Sequence, residues 1–386
     1  MIQKQRLFTP GPTPLHPAVQ EALSRPIIHH RTEEFRSLFK ECTSGLKRFV
    51  KSEESVVILS CSGTGAMEAA LVNTLSPGEA MLALVAGSFG ERWAALGRAH
   101  GMDVRVLEAR PGEAVSPVAV AEALDRDPSI RGVFVQYSES STGVRHDVEG
   151  LAALTRDRSG TILVVDAISG AGAMPLRTTP WGIDLLVVGS QKALALPPGL
   201  AFIAVGAKAW ERIESCRSPR FYFDLRRERK AQDGGESAYT PAISHVAALR
   251  AALAFVDSVG GVDALVGNAA VLAAMARAAA SAIGVPLLAP RDHGDALSAL
   301  LPPEGVEAGA IVKALKLQFG STVAGGQGSL KGKIFRVAHL GYYDATDMLG
   351  LLATLEIVLT GLGHRFEAGR GVAAAEREYL RRTSDR

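Results

Sequence analysis

The chain has 386 residues, 47% hydrophobic and 21% charged, with 42 basic against 40 acidic side chains and a formal charge of +2. This is ordinary globular composition, long enough for one large and one smaller domain, and its charge balance argues against nucleic acid or an anionic membrane surface as partner. No apolar run reads as a membrane span, the opening MIQKQRLFTPGPTP lacks the apolar core of a secretion signal, and Cys42, Cys61 and Cys216 form no CxxC pair, so reduced thiols in a cytoplasm are expected, with no metal site.

The first strong element is RTEEFRSLFKECTSGLKRFV, where Phe35, Leu38, Phe39, Cys42, Leu46 and Phe49 recur at helical spacing behind Thr32 as N-cap. Short β-rich runs then alternate with helical patterns. SVVILS precedes AMEAALVNTL, AMLALVAG precedes FGERWAALGRAHG, MDVRVLE precedes PVAVAEALDR, and GVFVQYS precedes VEGLAALTRD. TILVVD, DLLVVGS and AFIAVG follow closely enough that one or two connections there lack a helix. Continuous apolar strands alternating with helices predict a mostly parallel α/β sheet covered on both faces. From Ala242 the pattern is helical through Phe255, and an Ala-rich helix follows from Val262 to about Ile283. VPLLA, LSALLP, AGAIVKALKLQF and KIFRVAHLG suggest a small α+β domain, closed by a helix from about Ala345 to Leu362. The tail EREYLRRTSDR reads as frayed or lying on the surface.

In such sheets ligands bind outside the carboxyl ends of the strands, so the residues just after them matter most. CSGTG puts Ser62, Gly63 and Thr64 before a helix, which suits a phosphate or is a plain strand-to-helix turn. It has neither the third glycine of a dinucleotide fingerprint nor the Gly-Lys-Ser/Thr of a P-loop. Phe89 follows the next strand and is either core or the cover of a flat ring. Ser140, Ser141 and Thr142 in YSESSTG offer hydroxyls, or an ST-turn. TILVVD ends on Asp166, a carboxylate that needs a cation or several donors nearby. LLVVGSQKALALPPG delivers Lys192, which taken alone is an ordinary solvated lysine. Around one crevice, however, an anion cradle, a ring cover, a carboxylate and a lysine fit pyridoxal phosphate.

At this point the sequence resembles the class V aminotransferases, in their alanine/serine–glyoxylate branch. TPGPTPLHPAV, SGTGAMEAALVNTLSPG, ESSTGV, VVDAISGAGAMPL, VGSQKALALPPGLAF, YTPAIS and GKIFRVAHLGYYD occur in the order found in that family. The resemblance implies a fold-type-I, pyridoxal phosphate-dependent transferase acting as a homodimer. An N-terminal segment of residues 1–20 packs with the small domain, residues 21–257 form the large cofactor domain and residues 258–386 the small one. Lys192 corresponds to the Schiff-base lysine and Asp166 to the partner of the pyridinium nitrogen. Ser62, Gly63 and Thr64 match the phosphate loop, which Gln191 also reaches, and Thr240 matches the threonine lent by the other subunit. Phe89 stands at the ring-stacking position, where some relatives have tryptophan. Ser140 matches the hydroxyl near the ring oxygen. Arg336 corresponds to the arginine that holds the substrate carboxylate, and Gly11 lies where backbone approaches a small acid. His339 and Tyr342 are taken as structural, and His29, His30 and Arg31 receive no role.

The implied reaction moves an amino group from alanine or serine to glyoxylate or pyruvate. A 2-aminoethylphosphonate or ureidoglycine donor on the same scaffold is the alternative. A cysteine desulfurase would place histidine before the lysine and a cysteine in the C-terminal third, whereas Gln191 precedes Lys192 and no cysteine follows Cys216. A dinucleotide-dependent oxidoreductase lacks its third glycine here. A silent binding protein would not need the lysine and acid, both of which are present.

Overall fold

The computed structural model describes residues 2–384. A seven-stranded sheet has the order Ser55–Leu59, Ala201–Val205, Leu185–Gly189, Ile162–Asp166, Ile130–Gln136, Ala80–Val85, Asp103–Glu108. Neighbours are parallel except Ala201–Val205, which runs antiparallel to the strand on either side. The central strands are buried along their whole length, and apolar but for the closing Asp166, because both faces are covered. On one face Leu186, Val188, Phe202 and Ala204 join Phe35, Phe39 and Leu249. On the other, Leu185, Val187, Ile203 and Val205 join Met67, Leu71 and Trp93, as the two-residue period of a strand requires.

Helix Glu33–Val50 buries the six residues its spacing predicts, and the Thr32 side chain accepts from Phe35 N at 3.3 Å. At the sheet edge formed by Ser55–Leu59, the Gln232 carboxamide accepts from Ile58 N (2.9 Å) and donates to Ile58 O (2.8 Å). A side chain thereby imitates a neighbouring strand and blunts the open edge.

A second apolar core gathers Leu272, Met275, Phe335, Leu352 and Leu359 around a three-stranded antiparallel sheet ordered Leu297–Leu300, Phe335–Ala338, Ala324–Gly325. The N-terminal segment belongs to this core. Arg6–Leu7 pairs in parallel with Ser321–Thr322, and Phe8 is buried and stacks on Tyr343 with ring centroids 5.6 Å apart. Helix Val262–Ala282 is, against the sequence expectation, apolar enough over its 21 residues to cross a membrane by length and composition. Leu272, Met275, Ala276 and Ala279 on it are buried in the second core, the behaviour of a core helix.

The charged tail lies on the surface, as one of the two sequence expectations had it, and it does so as ordered helix rather than frayed chain. Arg370–Thr383 is a helix packed by Gly371 and Ala375, with the last two residues of the chain outside the described ones. Its cap comes from elsewhere: the buried Glu356 carboxylate accepts from Gly369 N (2.6 Å), Gly371 N (2.7 Å) and Val372 N (3.0 Å). An anion at a helix N-terminus satisfies orphan N–H groups and complements the dipole.

Candidate active site

The strand Leu185–Gly189 returns as Ala201–Val205 through a loop that is bonded at both ends. Buried Ser190 donates from Oγ to Pro197 O (2.7 Å) and from N to Leu200 O (3.1 Å). Thr13 Oγ1 donates to Lys192 O at 2.9 Å, so the N-terminal segment clamps the loop from outside. These bonds turn Lys192 inward. Its residue is only 9% exposed, and Nζ donates to Pro10 O. Burial pushes the amine down to about 8, against the pull of Asp166 and with help from the positive charges of Arg336 and Arg92.

Asp166 ends its strand in the same space. Its carboxylate accepts one backbone bond, from Ile168 N at 2.8 Å. Burial raises it to about 7; the Ile168 N–H opposes this, the charge of Glu139 adds to it, and Lys192 and Arg92 oppose it. The pair is thus poised around neutrality by desolvation, each partner partly restoring the other's charge.

Around them lies a cavity of about 240 Å³, lined among others by Gly11, Ser62, Gly63, Thr64, Phe89, Ser140, Asp166, Gln191 and Lys192. Ser62 caps helix Gly63–Thr74, accepting from Gly65 N at 3.4 Å. Phe89 is fixed by its own backbone, with N donating to Glu139 (3.1 Å) and O accepting from Gln136 Nε2 (2.7 Å). Ser140 Oγ donates to Ser169 Oγ at 2.5 Å.

Two expected residues stand apart from this set. Thr240 is exposed and lines a separate small cleft with Ser60, Tyr222 and Tyr239, so within one chain it does not reach the cavity. Arg336 is buried behind the wall: Nε and Nη2 donate to Gly325 O (2.9 and 2.7 Å) and Nη1 to Ser140 O (2.6 Å). Those three bonds leave one N–H free on each terminal nitrogen of the five-donor guanidinium.

His339 is buried with Nδ1 against Asp295 O, and Tyr342 packs edge-on to His16 and Phe255. His29 bonds locally to Arg31 N, and Arg31 pairs with Glu236. None of these lines the cavity.

Sequence reasoning missed Arg92, Ser138, Ile168 and Ser169, all of which line the cavity, and the buried Glu139 behind it. Arg92 is three residues beyond Phe89 on helix Ser88–Ala99, hence on the same face, and that spacing was the available signal. Glu139 accepts from Phe89 N, Gly90 N, Ser141 N and Ser141 Oγ. It replaces the side-chain cap that Gly87 cannot give.

The donor set fits pyridoxal phosphate. A helix start and hydroxyls suit the phosphate, a buried carboxylate suits a ring N–H, an aromatic face suits the ring, and a depressed amine suits the aldehyde. Two buried atoms at the wall, Gln191 Oε1 and Ser138 Oγ, have no partner among the described residues, as expected of groups reserved for a ligand.

Gly11 makes room for the lysine. It sits at φ +126°, and a Cβ there would lie 2.5 Å from Lys192 Nζ and 2.6 Å from Cε. Gly11→Ala combines backbone strain of about 1–3 kcal/mol with this clash. It is expected to slow uptake of pyridoxal phosphate by the cofactor-free chain at least about tenfold, followed by absorbance. Uptake at the wild-type rate would mean the lysine has space to spare.

Comparison with known proteins places the chain in a family. The sequence pattern of the family described as Aminotransferase class-V matches residues 16–332. The soluble hydrogenase 42 kDa subunit of Anabaena cylindrica is 37% identical over 98% of this chain and 100% of its own. The L-aspartate–glyoxylate aminotransferase of Paracoccus denitrificans is 35% identical over 100% and 98%, and the serine–glyoxylate aminotransferase of Methylorubrum extorquens 34% over 98% and 96%. The crystal structure of an aspartate aminotransferase of subgroup IV from Thermus thermophilus superposes with a TM-score of 0.86 at 35% identity, covering 93% of this chain and 100% of that one. The architecture is that of the fold-type-I aminotransferases. The hydrogenase name belongs to that relative; among the described residues of this chain no group of three or more His, Cys, Asp or Glu side chains is placed to hold a metal ion.

Proposed function

The chain belongs to the class-V aminotransferase family, with pyridoxal phosphate as its cofactor, and we propose that it moves an amino group from alanine or serine to glyoxylate or pyruvate. The observation that carries this reading is the meeting of Lys192, Asp166 and the Ser62–Thr64 helix start on one cavity. The cofactor, when bound, supplies the electron sink for bond cleavage at the donor's Cα and carries the amino group between the two half-reactions.

Each residue then has a defined task. Lys192 would anchor the cofactor's aldehyde end, and its amine would serve as the base that takes the proton from the donor's Cα and as the acid that gives it back. An amine held near 8 suits both directions of that transfer, because the best acid–base groups titrate near the working pH. Asp166 keeps the ring nitrogen protonated through a buried ionic contact. Ser62, Gly63, Thr64 and Gln191 hold the phosphate, Phe89 covers the ring, and Ser140 meets the ring oxygen. Arg336, behind the wall that Ser140 forms, keeps one N–H free on each terminal nitrogen, and a small shift of that wall would let it take the substrate carboxylate while Gly325 O and Ser140 O hold the guanidinium.

A second reading, a dicarboxylic donor, draws on the relative that is named for L-aspartate. The test covers both readings. The purified protein is expected to absorb in the visible through its cofactor, alanine or serine to bleach that band, and glyoxylate to restore it. Bleaching by aspartate alone would move the assignment to the second reading; ureidoglycine and 2-aminoethylphosphonate go through the same assay. A band indifferent to every amino donor would overturn the transaminase reading itself.

The working unit is a homodimer in which Thr240 completes the partner's phosphate site. Its exposure, beside the exposed rings of Phe221 and Tyr222, supports this arrangement. Sedimentation of the active holoenzyme is expected to give a dimer, and a fully active monomer contradicts the shared site.

A further inference from the structure

The roles given above leave one charged side chain of the cavity without a task. Arg92 sits one turn into helix Ser88–Ala99 and lines the cavity beside Thr64 and Phe89. Nη1 donates to Thr64 Oγ1 at 2.9 Å, and the guanidinium carbon lies 4.7 Å from the centre of the Phe89 ring. Among the described residues no carboxylate forms an ion pair with it. One of its five N–H groups is therefore engaged with a side chain, and the cation is left without a direct carboxylate partner.

Arginine is held in this way for a reason that charge makes plain. A phosphate monoester carries about −1.5 to −2 at neutral pH. The start of helix Gly63–Thr74 offers roughly half a positive charge and a few N–H groups, and the loop before it contains no lysine or arginine. Lys192 and Arg92 are the cationic side chains that line the cavity. Lys192 is committed to anchoring the cofactor's aldehyde end, which leaves Arg92 to balance the phosphate. Thr64 stands second in the helix, so a guanidinium bonded to its hydroxyl is at the phosphate end of the cavity. The charge of Arg92 also bears on both Lys192 and Asp166, which places it within electrostatic reach of the whole site.

We propose that Arg92 is a phosphate-binding residue of this site, fixed by Thr64 Oγ1 and the Phe89 ring, and that it makes the cavity select the phosphorylated cofactor over its unphosphorylated form. The proposal rests on the reading of Ser62–Thr64 as the phosphate cradle.

Titration of the cofactor-free full chain with pyridoxal phosphate and with pyridoxal, followed by absorbance, separates the two. The wild type should bind pyridoxal phosphate far more tightly than pyridoxal; equal affinity would overturn the cradle itself. In Arg92→Gln the affinity for pyridoxal phosphate should fall about tenfold or more, the scale of a lost charge-assisted hydrogen bond, while that for pyridoxal stays within about twofold. Arg92→Lys, which keeps the charge without the fork, should fall between. Equal losses for both ligands would make Arg92 a brace for Phe89 and overturn the proposal. So would unchanged affinity for both. Should Arg92→Gln fail to fold by circular dichroism, the ratio of the two affinities in Arg92→Lys decides: an unchanged ratio overturns the proposal and a reduced one upholds it.

Discussion

Lys192→Ala is expected to lose at least about 10²–10⁴-fold in turnover, the range spanned by a positioned acid–base group, and to lose covalent attachment of the cofactor with it. The cavity should survive the change. The loop backbone is held by Ser190, Thr13 and the Leu200 pairing, none of which uses the lysine side chain. The variant should therefore fold, and pyridoxal phosphate should still dock through the phosphate cradle and Phe89. Added small amines should restore part of the rate, since they supply the missing base without the tether. Near-normal turnover in Lys192→Ala would sink the assignment. A variant that neither docks cofactor nor responds to amines would instead point to a lysine needed for the shape of the site.

The wild-type lysine carries a companion expectation. An ordinary lysine titrates near 10.4 and is almost wholly protonated at neutrality. With its amine near 8, Lys192 is unprotonated in a large fraction of molecules at pH 7.5. Aldehyde capture by the cofactor-free chain should therefore rise through about pH 8 and level off beyond it, where an exposed lysine would still be rising.

Much of this site was readable because it is attached to the most readable elements. Asp166 ends one continuous apolar strand and Lys192 follows another by three residues, and the parallel arrangement those strands imply puts their carboxyl ends on one edge. Ser62–Thr64 and Phe89 follow strands for the same reason. The parts that escaped depend on partners distant in sequence. Glu139 looked like part of a hydroxyl-rich turn, yet it caps a helix some 50 residues earlier, and nothing local reveals that bond. Arg92 read as one more polar residue on an amphipathic helix. Arg336 could be named by resemblance, but its hold on Gly325 O and Ser140 O joins segments 11 and 196 residues away.

The elements misjudged or unseen share that cause. The tail helix is capped by Glu356, from the preceding helix, so its own sequence shows only charge. Helix Leu225–Gln232 spells LRRERKAQ and has no apolar stripe; it is held by Asp224 at its start and by Gln232 gripping a strand edge. Local pattern gives the elements that bury apolar faces, and long-range polar contacts supply the rest.

Asp166→Asn should separate function from stability. Asparagine keeps the shape but cannot hold a protonated ring nitrogen by charge, so turnover should fall by about 10² or more, on the scale of a lost buried ionic contact of 3–5 kcal/mol. Stability of the cofactor-free chain should move the other way. The folded Asp166 titrates at about 7 against 3.8 for the exposed group, so the folded state binds the proton more tightly. The stability this contributes is fully present below about pH 4 and is lost as pH rises through about 7. At pH 8 the wild type therefore carries a buried, ionised carboxylate whose sole direct hydrogen bond among the described residues is from Ile168 N, and Asp166→Asn, free of that charge, should melt higher. At pH 5, where Asp166 is protonated when folded, the gap should narrow. Saturating cofactor should reverse the order at pH 8, because only the carboxylate meets the ring nitrogen as an ion. Calorimetry with and without cofactor at the two pH values tests all of this. A cofactor-free Asp166→Asn that melts lower than wild type at pH 8 would mean the carboxylate is held by the fold for its own sake; a wild-type turnover rate would remove it from the reaction.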